Sequence, residues 1–269
     1  MTIRLKTLAS GSSGNATFLR FGDTRLLLDA GISYSRLQEG MESIEESIAG
    51  LAAVLITHEH TDHIKGLEQL VKHHQELAIY ATAGTSRDFS AATVKTIKAG
   101  RNFTCGDVEI HPFRTSHDAR EPVGFRFEIP GFALAVATDL GQVTRPVLAA
   151  LKDCNVLIVE ANYDVRMLQW SPYPAFLKRR ISGRGGHLSN DQCGELVRRV
   201  IHPGLESVIL VHLSEKNNSP EQATSIVSKA IKGREICLRA APRHEPGPLL
   251  SFRSTPVEEP PQEQQILPF

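Results

Sequence analysis

Short apolar runs recur along the chain between amphipathic stretches, a pattern that predicts strands alternating with helices. Residues 3–9 and 16–21 alternate with the two-residue period of a strand, and residues 24–30 form a third strand after a tight turn at Gly22-Asp23. Later apolar runs predict strands over residues 52–56, 78–81, 107–112, 123–129, 132–137, 155–160, 207–211 and 236–240. Both halves of the chain alternate in this way, without a direct sequence repeat.

The amphipathic stretches predict the helices, and several have recognisable first residues. Predicted helices cover residues 31–47, 64–71, 163–170, 174–181 and 191–201, and two more begin at residues 82–85 and 219–221. Pro174 and Pro220 suit the first turn of a helix, and Ser189 or Asn190 can cap the helix that starts at Asp191. From residue 242 the composition turns to Pro, Glu and Gln. It therefore predicts one domain over residues 1–241 and a disordered tail over residues 242–269.

One loop gathers a high density of metal-binding side chains. The segment Thr57-His58-Glu59-His60-Thr61-Asp62-His63 follows the apolar run 52–56 and precedes an amphipathic stretch. A loop at the end of a buried strand holds its side chains rigidly. His58 and His60 can turn towards one ion, and Asp62 and His63 can reach a second, although Asp62 is also a natural helix N-cap. The alternative, a polar surface loop, is disfavoured by the H-x-H-x-D-H spacing.

Composition narrows the compartment and the partners. Thirty Lys and Arg balance thirty Asp and Glu, so no global field attracts nucleic acid or a membrane, and only a local patch could do so. The four cysteines form no C-x-x-C pair, which argues against a disulfide framework and suits a reducing cytoplasm. The chain has neither a signal-peptide apolar region nor a run long enough to span a bilayer. We expect a cytoplasmic protein without a membrane partner, and the oligomeric state is left open.

The H-x-H-x-D-H loop resembles the signature of the metallo-β-lactamase-fold hydrolases. In that family two ions lie between two facing sheets, so the resemblance implies an α/β fold, specifically a four-layer αβ/βα sandwich. It also implies further ligands at later strand ends. His117 and His212 each follow a predicted strand as the remaining histidines, and Asp139 follows another. The two oxygens of Asp139 could each face one ion.

The resemblance thus implies a complete set of ligands for two divalent ions. His58, His60 and His117 would hold the first ion, Asp62, His63 and His212 the second, and Asp139 would bridge them. Imidazoles and carboxylates suit Zn²⁺, Mn²⁺ or Fe²⁺, and the sequence does not choose among them. Two ions about 3.5–4 Å apart lower the pKa of a shared water and clamp an in-line displacement at phosphorus. Asp62 and Asp139 are therefore expected to act in catalysis.

Longer motifs narrow the resemblance to the YycJ/WalJ branch, over roughly residues 3–240. They occupy residues 115–124, 160–162, 172–174, 177–181, 186–190 and 211–214, followed by Asn217-Asn218. Members of this branch are regarded as metal-dependent 5′→3′ exonucleases that act on DNA. The resemblance implies the same activity here, with DNA as substrate, and a substrate contact for Asn162 within its motif.

Two glycine-rich turns and one basic stretch are candidates for substrate contacts. The turn at residues 10–15 is either a flexible connection or, as the family often has Gly-Asn beside the metals, a site that brings Asn15 to them. In residues 185–190, a glycine-rich helix start favours phosphate. We expect His187 to donate to a phosphoryl oxygen or the leaving group, with Ser189 and Asn190 as further donors. The alternative is a helix cap with an incidental histidine. Four bases precede this turn and could follow a nucleic-acid backbone or form a solvated helix face, namely Lys178, Arg179, Arg180 and Arg184.

Three functions remain compatible with these residues. A phosphodiesterase that acts on nucleic acid accounts for most features. A small-molecule hydrolase of the same fold, acting on a lactam, a thioester or a cyclic phosphodiester, would need the same ligands. A metal-binding interaction module without turnover would not need so complete a ligand set.

Overall fold

Two seven-stranded sheets contain the predicted strands and three that the sequence pattern did not reveal. The computed structural model describes residues 1–91 and 93–255. Its strands are β1 (Thr2–Ala9), β2 (Ala16–Phe21), β3 (Thr24–Leu28), β4 (Ala53–Leu55), β5 (Ala78–Thr82), β6 (Val94–Ile97), β7 (Phe103–Cys105), β8 (Val108–Arg114), β9 (Val123–Ile129), β10 (Phe132–Ala137), β11 (Val156–Glu160), β12 (Ser207–Val211), β13 (Cys237–Ala240) and β14 (Leu250–Arg253). The strands that the sequence pattern missed are β6, β7 and β14.

Each sheet is antiparallel on one side and parallel on the other. The first sheet has the order β14-β1-β2-β3-β4-β5-β6 and becomes parallel from β3 onward. The second has the order β13-β12-β11-β10-β9-β8-β7 and is parallel from β13 to β10. The carboxyl ends of parallel strands meet at one edge of a sheet, so side chains that follow β3 and β4, or β10 to β12, can converge.

The described residues include eight α-helices. They are α1 (Tyr34–Glu42), α2 (Thr61–Ile64), α3 (Leu67–His73), α4 (Arg145–Leu151), α5 (Val165–Trp170), α6 (Ala175–Ser182), α7 (Asn190–Val200) and α8 (Pro220–Val227). Helix α1 covers only part of the helix predicted over residues 31–47. Where a helix was predicted to begin at residue 82, the structure has a short 3-10 helix at Thr85–Asp88. In the described part of the chain, every helix is too short or too polar to cross a bilayer.

Three apolar clusters separate four layers. Alternate residues of both sheets, such as Leu26 and Phe125, face each other in the central cluster. Leu27, on the opposite face of β3, packs with Leu37 of α1. On the other side, Leu157 packs with Leu196 of α7. The predicted four-layer αβ/βα sandwich is confirmed.

The tail predicted from residue 242 begins too early, because residues 250–253 form a strand of the first sheet. Strand β14 pairs with β1, with Thr2 opposite Arg253 and Leu5 opposite Leu250. Its partly buried side chains extend the central cluster, and its backbone satisfies the outer N–H and C=O groups of β1, which would otherwise form an open sheet edge. The remainder of the predicted tail, residues 256–269, lies outside the described residues.

Candidate metal centre

The predicted ligands converge at the carboxyl ends of strands from both sheets. His58 to His63 follow β4, and His117 follows β8. Asp139 lies two residues beyond β10, and His212 directly follows β12. Residues far apart in the sequence thereby lie within a few ångströms of each other. Asp62 and His212, for example, are separated by 150 residues along the chain.

The first group consists of three histidines whose ring nitrogens face one another. His60 Nδ1 lies 3.0 Å from His58 Nε2 and 3.2 Å from His117 Nε2. The other nitrogen of His117 donates to the Gly186 carbonyl at 3.1 Å, which leaves its Nε2 with a lone pair. Three nitrogens at such distances cannot all be satisfied by one another's protons, but they can share one cation.

The second group combines a carboxylate with two histidines. Asp62 Oδ2 lies 3.4 Å from His212 Nε2 and 3.5 Å from His63 Nε2. Asp139 stands between the groups, since its Oδ1 is 3.6 Å from His117 Nε2 and its Oδ2 is 3.4 Å from His63 Nε2. Asp139 Oδ1 also lies 3.6 Å from His212 Nδ1, so Asp139 is close to ligands of both groups.

The donor set fits divalent metal ions on an observation independent of the family. Asp139 Oδ2 is buried and has no hydrogen-bond partner among the described residues. An unpaired carboxylate oxygen in the interior is costly unless a cation binds it. The same oxygen lies 3.4 Å from His63 Nε2, and a mixed set of imidazoles and carboxylates suits Zn²⁺, Mn²⁺ or Fe²⁺. The residues present thus suit the ions that the sequence predicts.

Two buried carboxylates orient the histidines, and the sequence analysis assigned neither to the site. Asp29 Oδ2 accepts from His63 Nδ1 at 2.7 Å, and its Oδ1 accepts from the Thr57 N–H at 2.8 Å. Glu160 Oε1 accepts from His187 Nδ1 at 2.7 Å and from His212 Nδ1 at 3.0 Å. Because a carboxylate only accepts, it fixes the proton on Nδ1 and presents Nε2 to a metal. A signal existed in the sequence, because each acid ends an otherwise apolar strand.

Backbone conformation aims three of these side chains. Asp29, Asp139 and His212 follow strands with positive φ values of 59°, 57° and 57°. Aspartate and histidine enter this region more often than most residues, yet each instance costs of order 1–3 kcal/mol and persists only where contacts enforce it. One such contact is the bond from the His212 N–H to Ser10 Oγ at 2.8 Å. The turn at residues 10–15 thereby anchors His212.

Close backbone contacts hold the metal-binding loop against the turn at residues 10–15. A Cβ on Gly31 would lie 1.7 Å from the Asp62 carbonyl oxygen, so only glycine fits there. The Asn15 N–H donates to that carbonyl at 2.7 Å, and Asn15 Nδ2 donates to Asp62 Oδ2 at 3.1 Å. Asn15 therefore lies beside the second group and orients a ligand there, whereas its contact with a substrate stays a prediction.

The electrostatics differ between the two groups. Burial and the neighbouring imidazoles hold the pKa of His58 well below its usual range, so His58 stays neutral. Burial also opposes protonation of His63, but Asp29 and Asp139 outweigh it and raise the pKa of His63 to about 9. His212 behaves similarly, because Asp139, Asp62 and Glu160 raise its pKa despite burial. The second group accumulates negative charge that a divalent cation would neutralise in place of protons.

A cavity of about 210 Å³ opens over these ligands. His187 lines it, together with residues that the sequence analysis did not place at the site, including Ser12, Asp118, Leu177 and Ile181. Arg180 also lines it and donates from Nε to Asp118 Oδ2 at 2.7 Å. Burial lowers the pKa of His187, but Glu160 outweighs this and raises it. A larger, mostly apolar cavity of about 610 Å³ lies beyond residues 120–122 and holds none of the predicted ligands.

Three predicted substrate contacts need correction. The Ser189 side chain caps α7 by accepting from the Gln192 N–H, and Asn190 is fully buried and pairs with Asn218. Asn162 Nδ2 donates to the His212 carbonyl at 2.8 Å and so supports a ligand from behind. None of the three lines the cavity.

The prediction that backbone N–H groups of residues 185–190 bind a phosphate is also wrong. The N–H groups of residues 186–190 already donate within the protein, for example that of Leu188 to Glu160 Oε2 at 3.1 Å. A helix start offers an anion site only while its N–H groups are free. His187 is the residue of this turn whose side chain remains at the cavity.

Comparisons with known proteins agree with this geometry. A family model described as beta-lactamase superfamily domain matches residues 24–213. The chain is 34% identical over 239 residues to exodeoxyribonuclease YycJ of Bacillus anthracis, which covers 86% of this chain and 90% of that protein. It is 33% identical over 225 residues to exodeoxyribonuclease WalJ of Streptococcus pneumoniae, covering 80% and 83%.

Solved structures extend the agreement to the fold. The metallo-beta-lactamase fold protein YhfI from Bacillus subtilis superposes with a TM-score of 0.70, at 16% identity, over 93% of this chain and 99% of that one. The short form of human tRNase Z superposes with a TM-score of 0.62, at 16% identity, over 94% and 100%. The chain therefore belongs to the metallo-β-lactamase-fold hydrolases, in the branch of the YycJ and WalJ exodeoxyribonucleases, and is a metal-dependent hydrolase.

Proposed function

We propose that this hydrolase cleaves phosphodiester bonds in DNA as a 5′→3′ exonuclease that uses two divalent ions. The observation that carries the proposal is Asp139, which lies within 3.6 Å of ligands of both groups beneath one cavity. Two relatives that match most of the chain are named exodeoxyribonucleases, which supports DNA as the substrate. The polarity follows from the resemblance to their branch.

The two ligand groups support a separate site for each of two ions. His58, His60 and His117 would hold one ion, and Asp62, His63 and His212 the other, with Asp139 shared. When bound, such ions lower the pKa of water and neutralise charge on phosphoryl oxygens. The identity of the ions is open among Zn²⁺, Mn²⁺ and Fe²⁺, because the donor set suits all three.

His187 and Arg180 supply the groups that would contact the substrate. The Nδ1 of His187 is occupied by Glu160, so its Nε2 is the nitrogen available to donate to the departing oxygen when the ring is protonated. Arg180 lines the cavity and pairs with Asp118 through Nε, so its terminal nitrogens would be left to bind a phosphate. His187 is thereby assigned to catalysis and Arg180 to binding.

Digestion of end-labelled DNA tests the activity directly. A duplex labelled at one 5′ end should release a labelled mononucleotide at once, whereas the same duplex labelled at the 3′ end should shorten progressively. The reaction is repeated across Zn²⁺, Mn²⁺ and Fe²⁺, with a lactam and a thioester as control substrates. Elemental analysis should find two ions per chain, and Asp139→Ala should abolish turnover. Turnover of the lactam or thioester without digestion of DNA would reject the nuclease in favour of a small-molecule hydrolase.

The His187→Ala variant tests the assignment of the proton donor. Loss of such a donor lowers kcat by about 10²–10⁴-fold. The metal content should be retained, and the loss should be smaller on an aryl phosphodiester, whose leaving group needs no proton. Unchanged turnover on DNA with the metals retained would remove His187 from the mechanism.

A further inference from the structure

Exposed apolar side chains concentrate on the segment that leads into the cavity. In the described part of the chain, five large apolar side chains are exposed, and four of them lie between Val165 and Phe176. Trp170 is 83% exposed and Phe176 is 67% exposed. Helix α6, which carries Phe176, buries none of its residues completely. Large apolar side chains that cluster on a surface indicate a binding site.

The same segment carries a local positive charge. Five Lys and Arg and no Asp or Glu occur from residue 165 to residue 184, although the whole chain has thirty of each sign. The bases are Arg166, Lys178, Arg179, Arg180 and Arg184. Arg180 pairs with Asp118, and within residues 1–91 and 93–255 the other four form no ion pair. A polyanion would find both apolar and cationic groups here.

Basic side chains lie beside the exposed aromatic residues. Lys178 Nζ donates to the Gln169 carbonyl at 2.7 Å, next to Trp170 at the end of α5. Arg179 and Arg180 stand three and four residues after Phe176, so they are its neighbours along α6. Leu177 and Arg180 line the cavity of the metal centre. The exposed rings thus adjoin the path by which a strand would reach the ligands.

We propose that Trp170 and Phe176 stack on bases of a single-stranded stretch of nucleic acid, while Lys178 and Arg179 bind its phosphates. These four residues are called the stacking surface. Paired bases inside a duplex do not present their faces, whereas unpaired bases stack on exposed aromatic side chains flanked by basic groups. The inference rests on the proposed nuclease function and specifies the form of substrate that the protein holds beside its cavity.

The sole tryptophan makes the stacking surface directly observable. Trp170 is the one tryptophan in the chain, so its fluorescence reports this surface alone. The metal-loaded protein is titrated with a cleavage-resistant phosphorothioate oligothymidylate, the matching oligouridylate and a blunt duplex. Both single strands should quench the fluorescence, and the duplex should do so more weakly. The two single strands compare DNA with RNA as the source of the bases.

Variants separate stacking from charge. Trp170→Ala and Phe176→Ala should each weaken binding of the single strand by about 5- to 100-fold, the range for one stacked base. Neither should change the dependence of log Kd on log salt, whereas Arg179→Ala should reduce that slope by about 0.7. Arg234→Ala is the matched control, because Arg234 is exposed and precedes β13, at the amino end of a strand that runs parallel to β12, whereas the metal ligand His212 follows the carboxyl end of β12. On DNA digestion, the aromatic variants should raise KM and leave kcat at saturating substrate nearly unchanged.

The outcomes distinguish this inference from the proposed function. If the wild type digests DNA but Trp170→Ala and Phe176→Ala bind and digest normally, the stacking surface is wrong and the nuclease stands. If oligonucleotides quench Trp170 but no nucleic acid is digested with any metal, the nuclease fails and the stacking surface stands. A change of fluorescence with protein concentration alone, without any effect of oligonucleotides, would show that a second copy covers this face and would overturn the inference.

Discussion

Replacing Glu160 by glutamine tests how the fold prepares a metal ligand. Glu160 is fully buried and accepts four hydrogen bonds. Oε2 accepts from the N–H groups of Leu140 and Leu188 at 2.9 and 3.1 Å, and Oε1 accepts from His187 and His212 at 2.7 and 3.0 Å. Burial raises the pKa of Glu160, but His187 and His212 outweigh it and lower the pKa overall, so the group is ionised. A glutamine has only one acceptor oxygen, so it cannot replace both carboxylate oxygens.

The amide of the Glu160→Gln variant can adopt two orientations, and the one with the lower free energy will be populated. If the amide oxygen faces the histidines, two buried backbone N–H groups lose their acceptors, at about 1–3 kcal/mol each. If it faces the backbone, the amide donates to both Nδ1 atoms, and His212 must then carry its proton on Nε2, the nitrogen that faces Asp62. Loss of such an orienting partner costs about 10- to 100-fold in metal affinity, or about 1.4–2.7 kcal/mol. The second arrangement leaves no backbone N–H group unpaired and therefore costs less, but it removes the carboxylate that raises the pKa of His187 and His212.

We therefore expect Glu160→Gln to bind the second ion about 10- to 100-fold more weakly, and to unfold at a lower temperature than the wild type without metal, because it loses its ion pairs with His187 and His212. The assay is competition for Zn²⁺ against a chromogenic chelator, alongside thermal unfolding of metal-free protein. Glu46→Gln is the matched control, because Glu46 is a buried carboxylate that arginines hold at the start of β3, away from the metal centre. It should lose stability and keep its metal affinity. Unchanged metal affinity in Glu160→Gln would refute the role of Glu160.

Three further predictions concern stability, thiol reactivity and metal removal. Burial raises the pKa of Glu46, but Arg25 and Arg20 lower it overall. The ion pairs therefore stabilise the fold at pH values above the ordinary glutamate pKa, and this stabilisation is lost as the pH falls through the lowered pKa of Glu46. Denaturant titrations from pH 7 to pH 3 should show the difference between wild type and Glu46→Gln shrinking, and a constant difference would contradict this. Cys237 is exposed, whereas burial raises the pKa of Cys154 to about 12; a thiol reagent should modify one cysteine per native chain quickly, and two fast thiols would be inconsistent. A chelator should lower the unfolding temperature, and restored Zn²⁺ at about 100 Kd should recover about 2.7 kcal/mol; an unchanged temperature would mean that the centre is empty or does not favour the folded state.

The sequence by itself determined the features that depend on neighbouring residues. Short apolar runs predicted β9, β10 and β12 with the bounds that the structure has. The spacing of His58 to His63 fixed a dense metal-binding loop, because residues so close in sequence need only one turn of backbone to converge. Resemblance supplied His117, Asp139 and His212, and the structure brings all three to that loop.

Only the tertiary structure decided which buried polar groups face each other. Asp29 and Glu160 looked like ordinary strand ends, and their role follows from histidines that lie 34 and 52 residues away along the chain. Ser189 and Asn190 had the composition of a substrate-binding turn, but packing directs them into α7 and towards Asn218. A hydrogen bond depends on direction as well as on distance, and direction is set by how strands from two sheets are juxtaposed. For the same reason, the chain beyond residue 242 became a strand only because β1 offered it an unpaired edge.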